Sequence, residues 1–80
     1  MNHRRSERKM TQYYTHLGPI SQYHRTKNDA IEYAKYMSQS MGAEILIRRN
    51  NAKYAYIRAI DGRIENLTDG VMPEGTYFYV

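Results

Sequence analysis

The stretch Thr26–Gly42, TKNDAIEYAKYMSQSMG, decides the fold. Ala30, Ile31, Ala34, Met37 and Met41 recur at helical spacing and form one apolar stripe. Thr26, followed three residues later by Asp29, is a capping-box-like start. The hydroxyl accepts from an orphan N–H and the acid suits the positive end of the helix. Gly42 supplies the left-handed residue that closes such helices. The pattern predicts a helix over 27–41, with Tyr33 and Tyr36 flanking its stripe.

Strands follow on both sides. Before the helix, residues 11–17 are rich in Tyr and Thr and suit a strand. Gly18-Pro19 breaks it, and 20–25 either returns as a second strand or leads into the helix. After the helix, Ala43 to Arg49 centres on Ile45-Leu46-Ile47 and reads as a strand. Asn50-Asn51 is a turn, and Ala52 to Ile60 is the next strand. Asp61-Gly62 is a two-residue hairpin signal, because a type I′ turn needs positive φ at both centres. It places Ala59 opposite Ile64 and Arg58 opposite Glu65, with the strand ending at Leu67. Thr68-Asp69-Gly70 and Pro73-Glu74-Gly75 read as turns, and Thr76 to Val80 as a last edge strand. The expected fold is α+β: one helix packed on a single antiparallel sheet of about four strands, in the order β(β)-α-β-β-β. Residues 1–10 form a flexible basic arm, and 11–80 a single domain.

Strand parity gives two candidate sheet faces. Ala55, Ile57, Ala59 and Ile64 form one, and their small alanines favour close approach of the helix. Tyr54, Tyr56, Arg58 and Leu67 form the other, which is then open to solvent or a partner. The opposite assignment depends on the length of the Asn50-Asn51 loop, since a one-residue slip inverts a strand.

Eighty residues bound what such a domain does. A chain of this size buries roughly 60% of the surface its unfolded form exposes, which leaves little room for a deep substrate pocket. The absence of cysteine excludes disulfides, thiolate nucleophiles and cysteine-ligated zinc, and suits a reducing, cytoplasmic setting. No apolar run approaches the roughly 20 residues of a membrane span. His3, His16 and His24 lack metal-ligand spacing, although His16 and His24 could face each other across a 17–24 hairpin. No phosphate-binding glycine loop or nucleophile–histidine pair is present. No cofactor and no enzymatic activity are expected.

Charge and aromatic content are more informative. Residues 1–28 hold six Lys/Arg against one acid, and 29–80 hold six against seven, so the +4 chain is basic at its front. Arg4, Arg5, Arg8 and Lys9 make an arm suited to non-specific contact with nucleic acid. Nine tyrosines stand beside one Phe and no Trp. Tyrosine gives large contact area at low entropy cost and keeps a polar tip, so binding surfaces favour it. Tyr54, Tyr56, Tyr77 and Tyr79 are the candidates for exposure. With Arg48, Arg49, Lys53, Arg58 and Arg63 they are expected to make a basic-aromatic surface of the kind that takes RNA or single-stranded DNA. The bland counterpart is cross-strand salt pairing with acids such as Glu65.

The helix beginning Asp29-Ala30-Ile31, its exit Gly42-Ala43-Glu44-Ile45-Leu46-Ile47 and the hairpin Asp61-Gly62-Arg63-Ile64 together resemble the layout of small phage-encoded inhibitors of the anti-CRISPR kind. The resemblance covers about half the chain and carries over no functional residue. It implies blockade of a larger protein or nucleoprotein target, such as a CRISPR-Cas complex, by surface complementarity. The expected function is therefore a small non-enzymatic binding protein, with direct nucleic-acid binding through the arm and the Tyr/Arg face as the alternative. A monomer or weak dimer is expected, the latter through pairing of the strand at Tyr77-Phe78-Tyr79-Val80.

Overall fold

The computed structural model describes residues 12–73. The elements are β1 (Tyr13–Leu17), β2 (Ile20–His24), α1 (Lys27–Met41), β3 (Ile45–Arg49), β4 (Ala55–Ile60) and β5 (Arg63–Val71). The strands form one antiparallel sheet in the order β2-β1-β3-β4-β5, and α1 packs across one face of it. This is the α+β fold expected. The sheet has five strands rather than about four, because Ile20–His24 returns from the Gly18-Pro19 turn and pairs along the whole of β1. The arm, and the strand expected at 76–80 with Tyr77 and Tyr79, lie outside the described residues.

Local chemistry sets the ends of the elements as expected. The Thr26 hydroxyl accepts from the Asp29 N–H at 3.0 Å, and α1 ends at Gly42 in the left-handed conformation. Asp61 and Gly62 both take positive φ, 52° and 78°, and close β4 onto β5 with Arg58 opposite Glu65 and Ala59 opposite Ile64. The N–H of Gly62 also donates to the Ser38 hydroxyl at 2.9 Å, so the turn is fastened to the last turn of α1.

The core lies between α1 and the centre of the sheet. Ala30 and Ala34 meet Ile45, Ile47, Ile57 and Ala59, all buried. Alanine on both sides brings the helix backbone close to β4. Ile64 and Tyr13 pack at the margin. The helix-facing side of β4 is thus the expected side at Ile57 and Ala59, while at the register shift between Ala55 and Ile57 the Tyr56 ring also packs against the core cluster.

Two boundaries depart from the sequence reading. β4 begins at Ala55, not Ala52, because the Arg48 guanidinium donates to the carbonyls of Arg49 and Ala52, at 3.1 Å each, and holds 50–54 as a loop. β5 does not stop at Leu67 but continues to Val71. The register passes from Ile57 opposite Asn66 to Ala55 opposite Val71, so the Thr68-Asp69-Gly70 signal marks a bulge within the strand rather than its end. Gly70 sits there at φ 73°, where a Cβ would come within 3.0 Å of the Tyr54 Cβ.

Candidate functional site

Antiparallel pairing brings the start of β1, the end of β2, the end of β3 and the start of β4 to one end of the sheet. The N-terminus of α1 lies over the same end. Register builds two ladders there. Tyr13 stands opposite both His24 and Arg49, and Tyr14 stands opposite both Tyr23 and Arg48. Neighbouring residues on a strand point to opposite faces, so the first ladder lies on the helix side and the second on the open side.

On the helix side the aromatic rings serve packing. Tyr33 of α1 covers the His24 ring at 4.9 Å between centroids. The Nε2 of His24 lies 3.0 Å from the Thr15 hydroxyl. Burial lowers the His24 pKa, and Asp29 partly offsets it. Tyr56, expected beside Tyr54 on the open face, is half-buried and packs against the core cluster. Its hydroxyl is buried without a well-formed hydrogen bond, and burial, then the neighbouring Tyr13, raises its pKa. The Arg49 guanidinium lies over the Tyr56 ring at 4.5 Å, and the Lys27 ammonium at 5.7 Å. Both cations are at the surface. Lys53 and Tyr54 extend the patch from the 50–54 loop, Tyr54 with 53% of its surface exposed.

On the open side Tyr23, Tyr14 and Arg48 stand in adjacent register. Tyr14 meets Tyr23 edge-on at 5.8 Å, and the Arg48 guanidinium lies 5.0 Å from the Tyr14 ring centre. Arg48 is held rigidly. Its Nε donates to Nε2 of His16 at 3.0 Å, and its Nη1 holds the loop carbonyls. Its Nη2 has no partner among the described residues. His16 is only 2% exposed, and burial together with Arg48 lowers its pKa to about 4. A histidine that accepts at Nε2 is the neutral form carrying its proton on Nδ1, and that Nδ1 is buried with no partner. His16 and His24 do not meet: His16 pairs with Ser21 and His24 with Tyr13, on opposite faces of the hairpin.

The other expected contact residues lie apart from this end. Arg58 is taken up by carboxylates, with Glu65 at 2.6 Å and Glu44 at 3.2 Å. Its hydrogen bonds hold the Glu65 carboxyl below the usual carboxylate range. By contrast, among the described residues Lys27, Arg48, Arg49 and Lys53 form no ion pair. The chain enters the described domain at the basic end. The Gln12 carbonyl accepts from the Asn50 N–H at 2.9 Å, so residues 1–11, with Arg4, Arg5, Arg8 and Lys9, connect there.

Two hollows complete the surface. An apolar groove of about 260 Å³ runs between α1 and the β1–β2 hairpin, lined mainly by Leu17, Ile20, Tyr33, Met37 and Met41. Ile20 is 66% and Met41 56% exposed. A second hollow of about 230 Å³ lies by His16, Glu44, Leu46, Val71 and Met72. Among the described residues no three His, Asp or Glu side chains could hold a metal ion together, and no helix is long and apolar enough to cross a membrane.

Arg48, Arg49, Lys53 and Tyr54 are candidates of the sequence; the structure places Tyr14, Tyr23 and Lys27, which are not, at the same end of the sheet. A signal for Tyr14 and Tyr23 was present. A two-residue Gly18-Pro19 turn, taken literally, sets Leu17 opposite Ile20 and therefore Tyr14 opposite Tyr23. Comparison of the chain with models of protein families, with characterised proteins and with solved structures finds no match.

Proposed function

We propose that this chain is a small binding protein that engages a nucleic-acid strand, free or within a nucleoprotein, through the basic-aromatic end of its sheet. One observation carries the reading. Among the described residues, Arg25, Lys27, Arg49 and Lys53 make no ion pair and gather at the end where the basic N-terminal segment joins the domain, while Lys35 on α1 is the unpaired cation that lies away from it. Elsewhere Arg58 and Arg63 are neutralised by Glu44 and Glu65. Unpaired cations on a half-apolar surface are poised for phosphate, whose binding releases condensed counterions. Tyrosines among them offer π-faces to bases.

The test is fluorescence anisotropy with a labelled oligonucleotide across a salt series. Affinity should fall steeply with salt, and each phosphate contact to a single strand contributes about −0.7 to the log–log slope. Replacing Arg49 and Lys53 by Gln should therefore flatten the slope by roughly 1.4. A slope the substitutions leave unchanged would remove this end from the interface.

A separate observation favours a second reading, blockade of a larger protein target. The apolar groove beside α1 exposes Ile20 and Met41 next to the uncharged strand ISQYH of β2. A protein partner seated there would be lost on Ile20→Asp, whereas nucleic-acid binding at the other end of β2 would not change.

A further inference from the structure

We propose that the ladder Tyr23–Tyr14–Arg48 on the open sheet face is a base-stacking platform, and that the strand this protein takes is therefore single-stranded. The inference rests on the nucleic-acid reading above and narrows it.

The ladder differs from the other aromatic clusters of the molecule. Tyr13 and Tyr56 pack against the core and Tyr33 against the half-buried His24 ring on the helix side, so packing accounts for them. Tyr23 belongs to an edge strand with four of its five residues exposed, and 43% of its own surface is open. Tyr14 and Arg48 are half-exposed beside it. Further along this side His16 and Leu46 are buried, with Val71 and Met72 beside them, so the accessible part of the face is the margin that carries Tyr23, Tyr14 and Arg48. Two tyrosines and an arginine in adjacent register therefore present rings and a guanidinium plane across three neighbouring strands, spaced about 4.8 Å apart.

Rigidity completes the platform. Arg48 cannot swing away, because Nε is bound by His16 and Nη1 by the loop carbonyls. Its guanidinium is thus held beside the Tyr14 ring before any ligand arrives. Holding the binding groups in place beforehand lowers the entropy lost on association. Its Nη2, without a partner among the described residues, can donate to a phosphate or base edge. The surface cations Arg49 and Lys53 follow directly along the chain.

This geometry selects the ligand. In a duplex the π-faces of the bases are hidden in the stack, and among the described residues this sheet face offers no projecting element to read a groove. Unpaired bases can splay onto aromatic rings and guanidinium planes, irrespective of sequence. Ribose and deoxyribose strands share that chemistry.

The experiment compares four ligands by anisotropy or competition: a deoxy 12-mer, the same sequence as RNA, its duplex, and heparin as a charge-only polyanion. The single strands should bind about tenfold or more tightly than the duplex. Tyr23→Leu should weaken single-strand binding by about tenfold. It should leave the salt slope and the competition by heparin unchanged, because no phosphate contact is lost. Tyr23→Phe, which keeps the ring, should stay within about twofold of the parent chain. Tyr23 is on an exposed edge, and unchanged circular dichroism of the variants checks the fold. Equal affinity for duplex and single strand, or a Tyr23→Leu chain that binds like the parent, overturns the platform while leaving a charge-driven interface standing. Absence of binding to every oligonucleotide overturns both readings.

Discussion

The two ends of this sheet hold their arginines in opposite ways. At the β4–β5 hairpin, Arg58 lies between Glu44 and Glu65, and the turn is fastened to α1 through Ser38. At the other end, Arg48 and Arg49 lie over tyrosine rings, and the nearest partner of Arg48 is a neutral histidine. Residue type alone does not separate these arginines. What separates them is the pairing of the strands, which delivers Glu65 to one and His16 with Tyr14 to the other. An arginine satisfied by carboxylates is a fastening. An arginine stacked on a ring, with donors to spare, keeps its charge available to an outside anion.

Acid should distinguish the ends most strongly. The folded His16 stays neutral until about pH 4, whereas an unfolded histidine takes up its proton near 6.5. Between those values the unfolded chain binds more protons. Stability is therefore full above pH 6.5, falls by about 1.4 kcal/mol per pH unit below it, and is reduced by roughly 3 kcal/mol in all by pH 4. His24, whose pKa is also lowered, adds slope of the same sign, so the informative quantity is a difference. His16→Gln retains an acceptor for Arg48 and cannot titrate. Urea midpoints measured from pH 7 to 4 should fall more gently for it than for the parent chain. At the hairpin end, Glu65 is held below its usual range, so its pairing is lost only at lower pH than that of an ordinary glutamate. If the two chains lose stability in parallel, His16 is not the titrating group.

Removing each arginine sharpens the contrast. Arg48→Met should destabilise by about 2 kcal/mol, since it strands the buried His16 nitrogen and frees the 50–54 loop. Arg58→Met should shift the urea midpoint little, because exposed ion pairs contribute little against solvent and salt. Equal effects would mean that the two ends are held in the same way after all.

Much of this architecture was legible because local rules and tertiary structure agree. Thr26, Asp29 and the Ala30–Ala34 stripe specify α1, and Asp61-Gly62 specifies the hairpin and the Arg58–Glu65 pair. Ile57 and the small Ala59 identify the side of β4 beneath the helix, whereas the alternation breaks at Tyr56. Legibility ends where one long side chain overrides local preference. The β4 start depends on Arg48 reaching the Ala52 carbonyl, a contact that no spacing encodes. Gly70 looks like a turn residue and serves as one conformationally, but within a bulge that only the pairing of Ala55 with Val71 makes visible. The candidate site was half-legible for a related reason. Arg49, Lys53 and Tyr54 sit near one another in sequence, whereas the Tyr14–Tyr23 pair needs the register of a hairpin whose second strand carries no apolar alternation.

The hairpin fastening offers a smaller test. Ser38 is fully buried, accepts from the Gly62 N–H and donates to the Lys35 carbonyl at 3.1 Å. Ser38→Ala should cost about 1 kcal/mol, because the turn N–H loses its partner in a half-buried site. Amide exchange at Gly62 should quicken while exchange at Ile47, in the sheet centre, changes only with the global stability. Equal acceleration at both would show that the turn opens only with the whole domain.

The smallest effect on stability is expected at Tyr54, and it bears most directly on what the basic end does. Tyr54 is more than half exposed, and its Cβ, the atom nearest the Gly70 bulge, is kept in Tyr54→Ala. Its unfolding free energy should stay within about 0.5 kcal/mol of the parent chain, as for other surface substitutions. Tyr56→Ala is the matched control one turn of the pleat away. That ring packs on the core beneath Arg49 and Lys27, so its loss should cost about 3 kcal/mol. Binding should order them differently. If the basic-aromatic end takes a strand, Tyr54→Ala lowers affinity for the deoxy 12-mer about fivefold with the fold intact, since an exposed ring contributes at the low end of base stacking. Tyr56→Ala, measured where it remains folded, should weaken binding mainly by releasing Arg49 and should therefore alter the salt slope. A Tyr54→Ala chain that is both stable and fully competent would confine the interface to the Tyr23–Tyr14–Arg48 ladder and the arginines beside it.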